Sequence, residues 1–361
     1  MTNAPEQYFP SDYRAARAAF MAAAEEAGLG VTSRVHPSAK GRDGKPLFLD
    51  TASVGPREAK KALLLISGTH GVEGYFGSGV QTGLLREGIT ARVPEDVQIV
   101  MLHAFNPYGF SWDRRVNEDN ADLNRNFVDH AHPPVNQDYA ALADVIALRD
   151  IAPETMKAAN AKLRAYAQEH GAFALQAAIS TGQYAFPDGI YYGGARESWS
   201  ALMLQDVFRE ELTHAQKLVA IDFHTGLGES GAAAMIIEDA PGTPGFARAS
   251  ALWGARVQST TGGGSLSPPL AGTLDDAVGR LMGKEKTTFG ALEVGTTPTD
   301  VVLKALRLDN WLHLHGGLDH PRAAEIKRLI REAFYPDTVA WKQAVWAHAH
   351  EAVSAALAAI A

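Results

Sequence analysis

The chain has 361 residues, of which 46% are hydrophobic and 20% are charged. These values are typical of globular proteins, and the length accommodates one elaborated α/β domain or two small ones. The formal net charge of −8 argues against a nucleic-acid partner, because phosphates need a basic surface. The absence of cysteine excludes disulfides and thiolate zinc sites, so any metal must bind to His, Asp or Glu.

The first half of the chain predicts a strand–helix–strand unit. Apolar residues at helical spacing after Ser11, a candidate N-cap, predict a first helix that ends near Gly28. The next predicted elements are two strands, a helix and a third strand, at 46–55, 61–67, 75–87 and 97–104. This succession is a βαβ unit, which indicates a largely parallel sheet.

The second half is mostly helical at about 137–213, with an aromatic, glycine-rich break at 180–194 that we expect to be a loop over a site. Strands are predicted at 218–225, 233–238 and 290–295, a second irregular loop at 261–272, and closing helices at 321–334 and 337–360. We therefore expect a single α/β domain over residues 1–361. Its central sheet is predicted to be mixed, largely parallel and flanked by helices, with the segment 137–213 as a mostly helical insertion.

The N-terminal segment lacks a basic stretch followed by an apolar one, and no run approaches the ~20 apolar residues that cross a bilayer. We therefore expect a soluble, cytoplasmic protein with no membrane partner. Nothing in the sequence indicates an oligomeric state.

The strand predicted at 61–67 runs into Gly68, and His70 and Glu73 follow at once. His-x-x-Glu after a strand can direct two ligands at one metal, although an isolated copy is more often ordinary surface polarity. His224 ends another predicted strand, and Glu293 lies within a third. In parallel sheets ligands collect beyond the carboxyl ends of the strands. Two His and one Glu form a catalytic-type zinc set with an open position, and a further carboxylate can accept a proton.

A second block of polar residues contains Arg114, Arg115 and Arg125. Arginines beside a zinc site can bind a substrate carboxylate and an oxyanion. The simpler alternative is that they pair at the surface with Glu118, Asp119 and Asp122, and surface pairs are common and weak.

Taken together, these motifs resemble the zinc carboxypeptidase superfamily, and more narrowly its bacterial branch that is similar to aspartoacylase and succinylglutamate desuccinylase. The resemblance rests on an ordered set over about residues 60–300, namely His70-x-x-Glu73, Asn106-Pro107, Arg115-x-Asn117, Asp122-Leu-Asn-Arg-Asn-Phe127, His224 and Glu293. It implies a phosphorylase/hydrolase-like zinc carboxypeptidase fold and bound Zn²⁺.

The resemblance also implies a role for each matching residue. His70, Glu73 and His224 would bind the zinc, and Asp122 would contact His70 from behind. Arg115, preferred over Arg114 because of its spacing from Asp122, would polarise the scissile carbonyl. Asn124 and Arg125 would bind a substrate carboxylate, and Glu293 would act as general base and then general acid.

One departure concerns the tyrosine that closes over the substrate in the digestive enzymes, because no tyrosine lies between 224 and 293. Tyr184, Tyr191 and Tyr192 of the aromatic loop are candidates, although packing of the loop on the surface is the simpler expectation.

The function expected is a zinc peptidase that cleaves an amide beside a free carboxylate, as a carboxypeptidase does. An N-acyl amino acid amidohydrolase with the same residues is the nearest alternative, and a non-catalytic binding protein is the third. The expected partner is therefore a small peptide or an N-acyl amino acid.

Overall fold

The computed structural model describes residues 4–261 and 264–360. The strands are β1 Val31–Lys40, β2 Pro46–Val54, β3 Lys61–Ser67, β4 Val97–His103, β5 Lys217–Ser230, β6 Ala233–Ile237, β7 Val257–Ser259 and β8 Thr287–Gly295. The α-helices are α1 Tyr13–Glu26, α2 Gly74–Arg86, α3 Pro107–Ser111, α4 Gln137–Ile146, α5 Pro153–His170, α6 Ala172–Ser180, α7 Trp199–Glu211, α8 Pro244–Trp253, α9 Leu274–Met282, α10 Thr299–Trp311, α11 Ala323–Phe334 and α12 Val339–Ile360.

All eight of these strands form one sheet in the order β1-β2-β4-β3-β5-β8-β6-β7. The pairs β4/β3, β3/β5, β5/β8 and β6/β7 are parallel, whereas β1/β2, β2/β4 and β8/β6 are antiparallel. The prediction of a mixed, largely parallel sheet flanked by helices is therefore confirmed.

Strand β3 shows why the centre of the sheet is apolar on both faces. Leu63 and Leu65 point into a core made with α1, α2 and α12. Ala62, Leu64 and Ile66 point into a second core on the opposite face, made with α7 and α9. Because alternate residues of a strand face opposite sides and helices cover both sides, the strand reads as a continuous apolar run.

The segment at 137–213 contains four helices, α4 to α7. Helices α4, α5 and α6 share a third hydrophobic cluster with α10 and α11. This cluster places α6 beside the carboxyl edge of the sheet, where it borders the site described below.

Several local details differ from the sequence prediction. The N-cap of α1 is Asp12 rather than Ser11, because Asp12 Oδ1 accepts a hydrogen bond from the Ala15 amide at 2.9 Å. Strands β1 and β7 and helices α8 to α10 were not predicted. Of the loop predicted at 261–272, residues 262–263 lie outside the described residues, and 264–272 form no helix or strand. In the described parts of the chain, no helix has the length and apolar character that crossing a membrane requires.

Candidate metal centre and active site

The four residues singled out at strand ends lie together at the carboxyl edge of the parallel strands. His70 and Glu73 belong to the short turn between β3 and α2. His224 lies in β5 and Glu293 in β8, and their Cα atoms are register partners in neighbouring parallel strands. The register therefore puts Glu293 beside His224, on the edge where parallel sheets bind their ligands.

His70, Glu73 and His224 form a buried group that could hold a metal ion, and we call these three residues the metal centre. Nδ1 of His70 lies 2.9 Å from Glu73 Oε1. Nδ1 of His224 lies 3.1 Å from Glu73 Oε2 and 3.1 Å from Nδ1 of His70. Among the described residues these are the one group of three potential ligands whose donor atoms lie within 4.8 Å of one another. Ligands of a tetrahedral zinc ion lie roughly 3.3 Å apart, because Zn–N bonds are about 2.0–2.1 Å long.

A carboxylate lies behind each imidazole of the metal centre. Asp222 Oδ2 lies 2.6 Å from Nε2 of His224. Because a carboxylate only accepts hydrogen bonds, it keeps the proton on Nε2 and leaves the Nδ1 lone pair for a metal. Asp122 Oδ1 lies 3.1 Å from Nε2 of His70. Nη2 of Arg115 lies 2.8 Å from the same nitrogen.

The local charges favour a cation between the ligands. Burial opposes protonation of His224, but the carboxylates of Asp222 and Glu73 outweigh it and hold the pKa of His224 well above its usual value. Burial also opposes ionisation of Glu73, yet the two imidazoles keep its pKa below the ordinary range. An N₂O donor set that stabilises positive charge fits a divalent zinc ion.

Asp222 was missed by the sequence reasoning. It lies two residues before His224 on β5, so both side chains point to the same face of the strand. The hydroxyl of Thr69 donates a hydrogen bond to Asp222 Oδ1 at 2.8 Å. This Asp-x-His spacing at a strand end was the signal that could have revealed it.

A close backbone contact brings the loop that carries Arg114 and Arg115 to the metal centre. The amides of Gly71 and Val72 donate hydrogen bonds to the carbonyls of Arg115 and Arg114, at 3.1 and 2.8 Å. A Cβ atom on Gly71 would lie 2.0 Å from the carbonyl carbon of Gly109. Only glycine permits this approach, which explains the glycine after His70.

Arg115 lies in the site and Arg114 does not. The Arg115 guanidinium donates to Asp122 Oδ2 at 2.9 Å and to Glu73 Oε1 at 3.1 Å. Burial disfavours its charge, but the neighbouring acidic groups, Asp122 first, together outweigh burial and raise the pKa of Arg115 above its usual value. Arg114 turns away and donates to Asp309 Oδ2 at 3.1 Å. Arg115 does pair with Asp122, one of the partners of the surface-pair alternative, but both arginines are largely buried, so neither pair lies at the surface.

Asn124 and Arg125 line the same cavity as the metal centre. Nε and Nη2 of Arg125 both donate to the carbonyl of Ser180, and Nη1 donates to the carbonyl of Asn124. These contacts use three of the five N–H groups of a guanidinium and leave two for another oxygen. The Asn124 side-chain oxygen accepts from the Leu274 amide at 2.8 Å.

The three candidate tyrosines have different positions. Tyr191 lines the cavity, with Arg115 and Arg125 at 4.9 and 5.6 Å from its ring centre. Its φ of 55° lies in the left-handed region, where a bulky side chain is strained. The Tyr184 hydroxyl donates to the carbonyl of Arg125 at 2.7 Å, and the carbonyl of Tyr192 accepts from the Asp122 amide. Tyr184 and Tyr192 therefore brace the loop.

Three asparagines of the ordered motif shape loops. The Asn106 side chain caps α3 and donates to the carbonyl of Arg115. Asn117 Oδ1 accepts from the Ala121 amide at 2.8 Å. Asn126 binds the loop before α7 by accepting from the Ser198 amide at 2.8 Å. These contacts hold the loop that carries Arg115 and Asp122.

Glu293 is the further carboxylate that the sequence predicted beside the three ligands. Its side chain is buried, and Oε1 accepts a hydrogen bond from the Leu227 amide at 2.9 Å. Burial, and then the charge of Glu73, raise the pKa of Glu293 to about 7. Glu73 is thus held ionised while Glu293 is shifted toward neutral pH, a separation that marks acid–base pairs in active sites.

The cavity beside the metal centre has a volume of about 590 Å³. It contains His70, Glu73, His224, Glu293, Arg115, Asn124, Arg125 and Tyr191 in its lining. Its size is in the range of small-molecule sites. Every predicted site residue except Asp122, which lies behind His70, faces this space.

The fold and the site define an α/β protein with a buried His-Glu-His centre that could hold a metal. The chain belongs to the family described as "Protein of unknown function (DUF2817)", which it matches over residues 9–348. No curated protein sequence matches it.

Several solved structures are similar to this chain. Carboxypeptidase A from Helicoverpa armigera has 11% identity, covers 91% of this chain and 75% of its own, and has a TM-score of 0.48. Thrombin-activatable fibrinolysis inhibitor has 12% identity, coverage of 93% and 73%, and a TM-score of 0.45. Succinylglutamate desuccinylase from Chromobacterium violaceum has 15% identity, coverage of 88% and 77%, and a TM-score of 0.39. At these identities and TM-scores the likeness assigns no activity.

Proposed function

We propose that this chain is a zinc-dependent hydrolase that cleaves an amide or peptide bond next to a free carboxylate, as a carboxypeptidase does. The observation that carries the proposal is the position of Glu293. It is buried beside His224 by strand register, yet it is not part of the three-ligand group. A carboxylate placed next to a metal centre but outside it is what general acid–base catalysis of hydrolysis requires.

His70, Glu73 and His224 would hold the zinc ion, which supplies a Lewis acid and lowers the pKa of water. Glu293 takes the proton from the attacking water and later donates it to the leaving amine. Its pKa, raised to about 7, suits a group that must both accept and release a proton near neutral pH.

The arginines contribute fixed positive charge. Arg115 is held by Asp122 and Glu73 and lines the cavity, where its remaining N–H groups can stabilise charge that develops on the substrate carbonyl oxygen. Arg125, with the side-chain amide of Asn124, binds the free carboxylate of the substrate through donors that the backbone carbonyls leave available.

The test is the variant Glu293→Gln, assayed on a panel of dipeptides and N-acyl amino acids. We expect zinc content to be retained and kcat to fall by roughly two to four orders of magnitude. The matched control is Glu238→Gln, because burial also raises the pKa of Glu238, to about 8, at a position outside the cavity. Equal turnover by wild type and Glu293→Gln would remove Glu293 from the mechanism.

The same panel decides between the peptidase and the amidohydrolase. Preferential cleavage of dipeptides supports the carboxypeptidase proposal. Cleavage confined to N-acyl amino acids would instead assign the chain to the amidohydrolases with the same catalytic residues. Zinc binding without turnover of any member would favour a non-catalytic binding protein.

A further inference from the structure

The cavity beside the metal centre has two chemically different ends. The polar end holds the metal centre, Glu293 and the two arginines. The other end is formed by α6, the segment before α9 and the first turns of α10. Its apolar lining comes from Phe173, Leu175, Ile179, Leu270 and Leu303. Polar and apolar walls in one continuous space imply a ligand with both kinds of surface.

The apolar wall is exposed in the free chain but supported from behind. Phe173 is 51% exposed, and Leu175, Leu270 and Leu303 are only half-buried. Ile179, by contrast, is buried in the hydrophobic cluster that α6 shares with α4, α5 and α10. These apolar side chains lie on packed helices and are open toward the site. A ligand that removes them from water is therefore bound more tightly.

The charges around the cavity oppose an ionic group at this end. Among the described lining residues, the basic ones are His70, His224, Arg115 and Arg125. Arg125 meets α6 at its last residue, where it donates to the carbonyl of Ser180. Of the lining residues on α6 and α10, Asp300 is the one that is charged. A second carboxylate on the substrate would find no cation there. It would also lose hydration against the leucines.

We propose that the substrate carries an apolar group, an aliphatic or aromatic side chain or acyl chain, which fills the space between α6 and α10 while its amide lies at the metal centre. This inference rests on the proposed function, because it takes the metal centre as the place of the scissile bond. It excludes small dicarboxylic substrates, whose second acidic group would lie against the apolar wall.

The test measures binding to the zinc-loaded full chain with three hydroxamates that share one metal-binding head. These are acetohydroxamate, octanohydroxamate and suberic monohydroxamate, which has the same chain length as octanohydroxamate but ends in a carboxylate. A buried methylene lowers Kd about fourfold. We therefore expect the Kd of octanohydroxamate to be at least about 100-fold lower than that of acetohydroxamate. Suberic monohydroxamate should bind less tightly than octanohydroxamate, because its terminal carboxylate would lie against the apolar wall.

Two variants test whether the alkyl chain of octanohydroxamate lies between α6 and α10. Leu175→Gln on α6 and Leu303→Gln on α10 should each reduce the octano-to-aceto affinity ratio by roughly tenfold and leave the Kd of acetohydroxamate unchanged. Leu202→Gln, at a 44% exposed position on α7 outside the cavity, is the matched control and should change neither value.

An octano-to-aceto affinity ratio near one, or binding of suberic monohydroxamate as tight as that of octanohydroxamate, overturns the inference. An unchanged ratio in both cavity variants does so as well. Failure of the proposed function is a separate result, seen as absent zinc or as full activity of Glu293→Gln. On chelator-treated protein, octanohydroxamate and acetohydroxamate both lose the affinity that comes from the hydroxamate binding the metal. Octanohydroxamate should still bind more tightly than acetohydroxamate.

Discussion

Two buried groups of charged side chains lie on opposite sides of the Arg114–Arg115 peptide. One is the metal centre with its supporting carboxylates, which Arg115 contacts. The other, which we call the α10–α11 cluster, contains Arg114, Asp309, His313 and Lys327. In the cluster, Asp309 accepts hydrogen bonds from Arg114 at 3.1 Å and from Lys327 at 2.6 Å.

The two groups differ in whether their polar atoms have all their hydrogen-bond partners within the protein. Asp309 is placed between two cations, and Lys327 also donates to the carbonyl of Asp113 at 2.8 Å, so these charged groups have their partners within the protein. In the metal centre two Nδ1 atoms face each other at 3.1 Å beside a carboxylate and open on a cavity. A buried cluster whose charged groups are all hydrogen-bonded serves the fold, whereas convergent lone pairs beside a cavity can bind a ligand.

Within this comparison, the largest expected effect comes from replacing the two adjacent arginines separately. Arg115→Ala should lower kcat by roughly 10²–10³-fold, because it removes the donors closest to the metal centre. Arg114→Ala should instead lower the free energy of unfolding by about 3–5 kcal/mol, because Asp309 loses one of its buried partners. Steady-state kinetics and urea unfolding of both variants check the pair. A loss of activity in folded Arg114→Ala as large as that in Arg115→Ala would contradict the division of roles.

Zinc should stabilise the protein through the metal centre alone. At a free zinc concentration of 1,000 times Kd, the free energy of unfolding should rise by about 4 kcal/mol. A chelator should reverse the gain, and His224→Ala should abolish it. His313→Gln, which alters a buried histidine of the α10–α11 cluster, serves as the control and should keep the gain. Equal unfolding midpoints for wild type with zinc and with chelator would refute the site.

Asp222 should act through His224. Asp222→Ala should weaken zinc binding by roughly 10–100-fold, because the imidazole loses the carboxylate that fixes its tautomer. Competition with a chromophoric chelator measures this change. Thr69→Val should have a smaller effect, since it removes only the hydrogen bond to Asp222. If Asp222→Ala binds zinc as tightly as wild type, the carboxylate has no role in the tautomer.

The smallest expected effect is a pH dependence of stability within the α10–α11 cluster. Burial, and then the charge of Arg114, lower the pKa of His313 to about 3. The unfolded chain binds this proton near pH 6.5. The unfolded state therefore holds more protons between pH 6.5 and 3, and stability falls as the pH falls through that window.

We expect wild type to lose roughly 1–3 kcal/mol more stability than His313→Gln between pH 7 and pH 4. Urea unfolding at both pH values measures the difference. Other acid-sensitive groups are common to both proteins and cancel. Parallel stability curves for the two proteins would show that His313 is not buried as a neutral imidazole.

Much of the architecture was predictable because it follows from local patterns. The short apolar run at 61–67 matches β3 in both bounds, and the helix predicted at 75–87 matches α2 to within one residue. Strand β1 was missed because most of its residues are exposed or half-buried, so it lacks the apolar alternation that marks a strand.

The candidate site was predictable in part for the same reason. His70 and Glu73 follow the end of a recognisable strand, and His224 ends the apolar run of another, so the sheet draws them to one edge. Strand β5 itself continues beyond the predicted end at 225, to Ser230. The carboxylate behind His224 was not recognised, although its two-residue spacing is local. The position of Tyr191 could not be inferred, because it depends on how the loop at 180–194 packs against Arg115 and Arg125.

The amino-acid order by itself indicated most of the central strands, the helix α2 and the polar residues that follow the apolar runs, since periodicity and turn chemistry act over a few residues. Only the tertiary structure decided that Glu293 stands beside His224, that Arg115 and not Arg114 enters the site, and that α6 supplies an apolar wall. These outcomes depend on strand register and on packing between segments far apart in the chain, which no local pattern encodes.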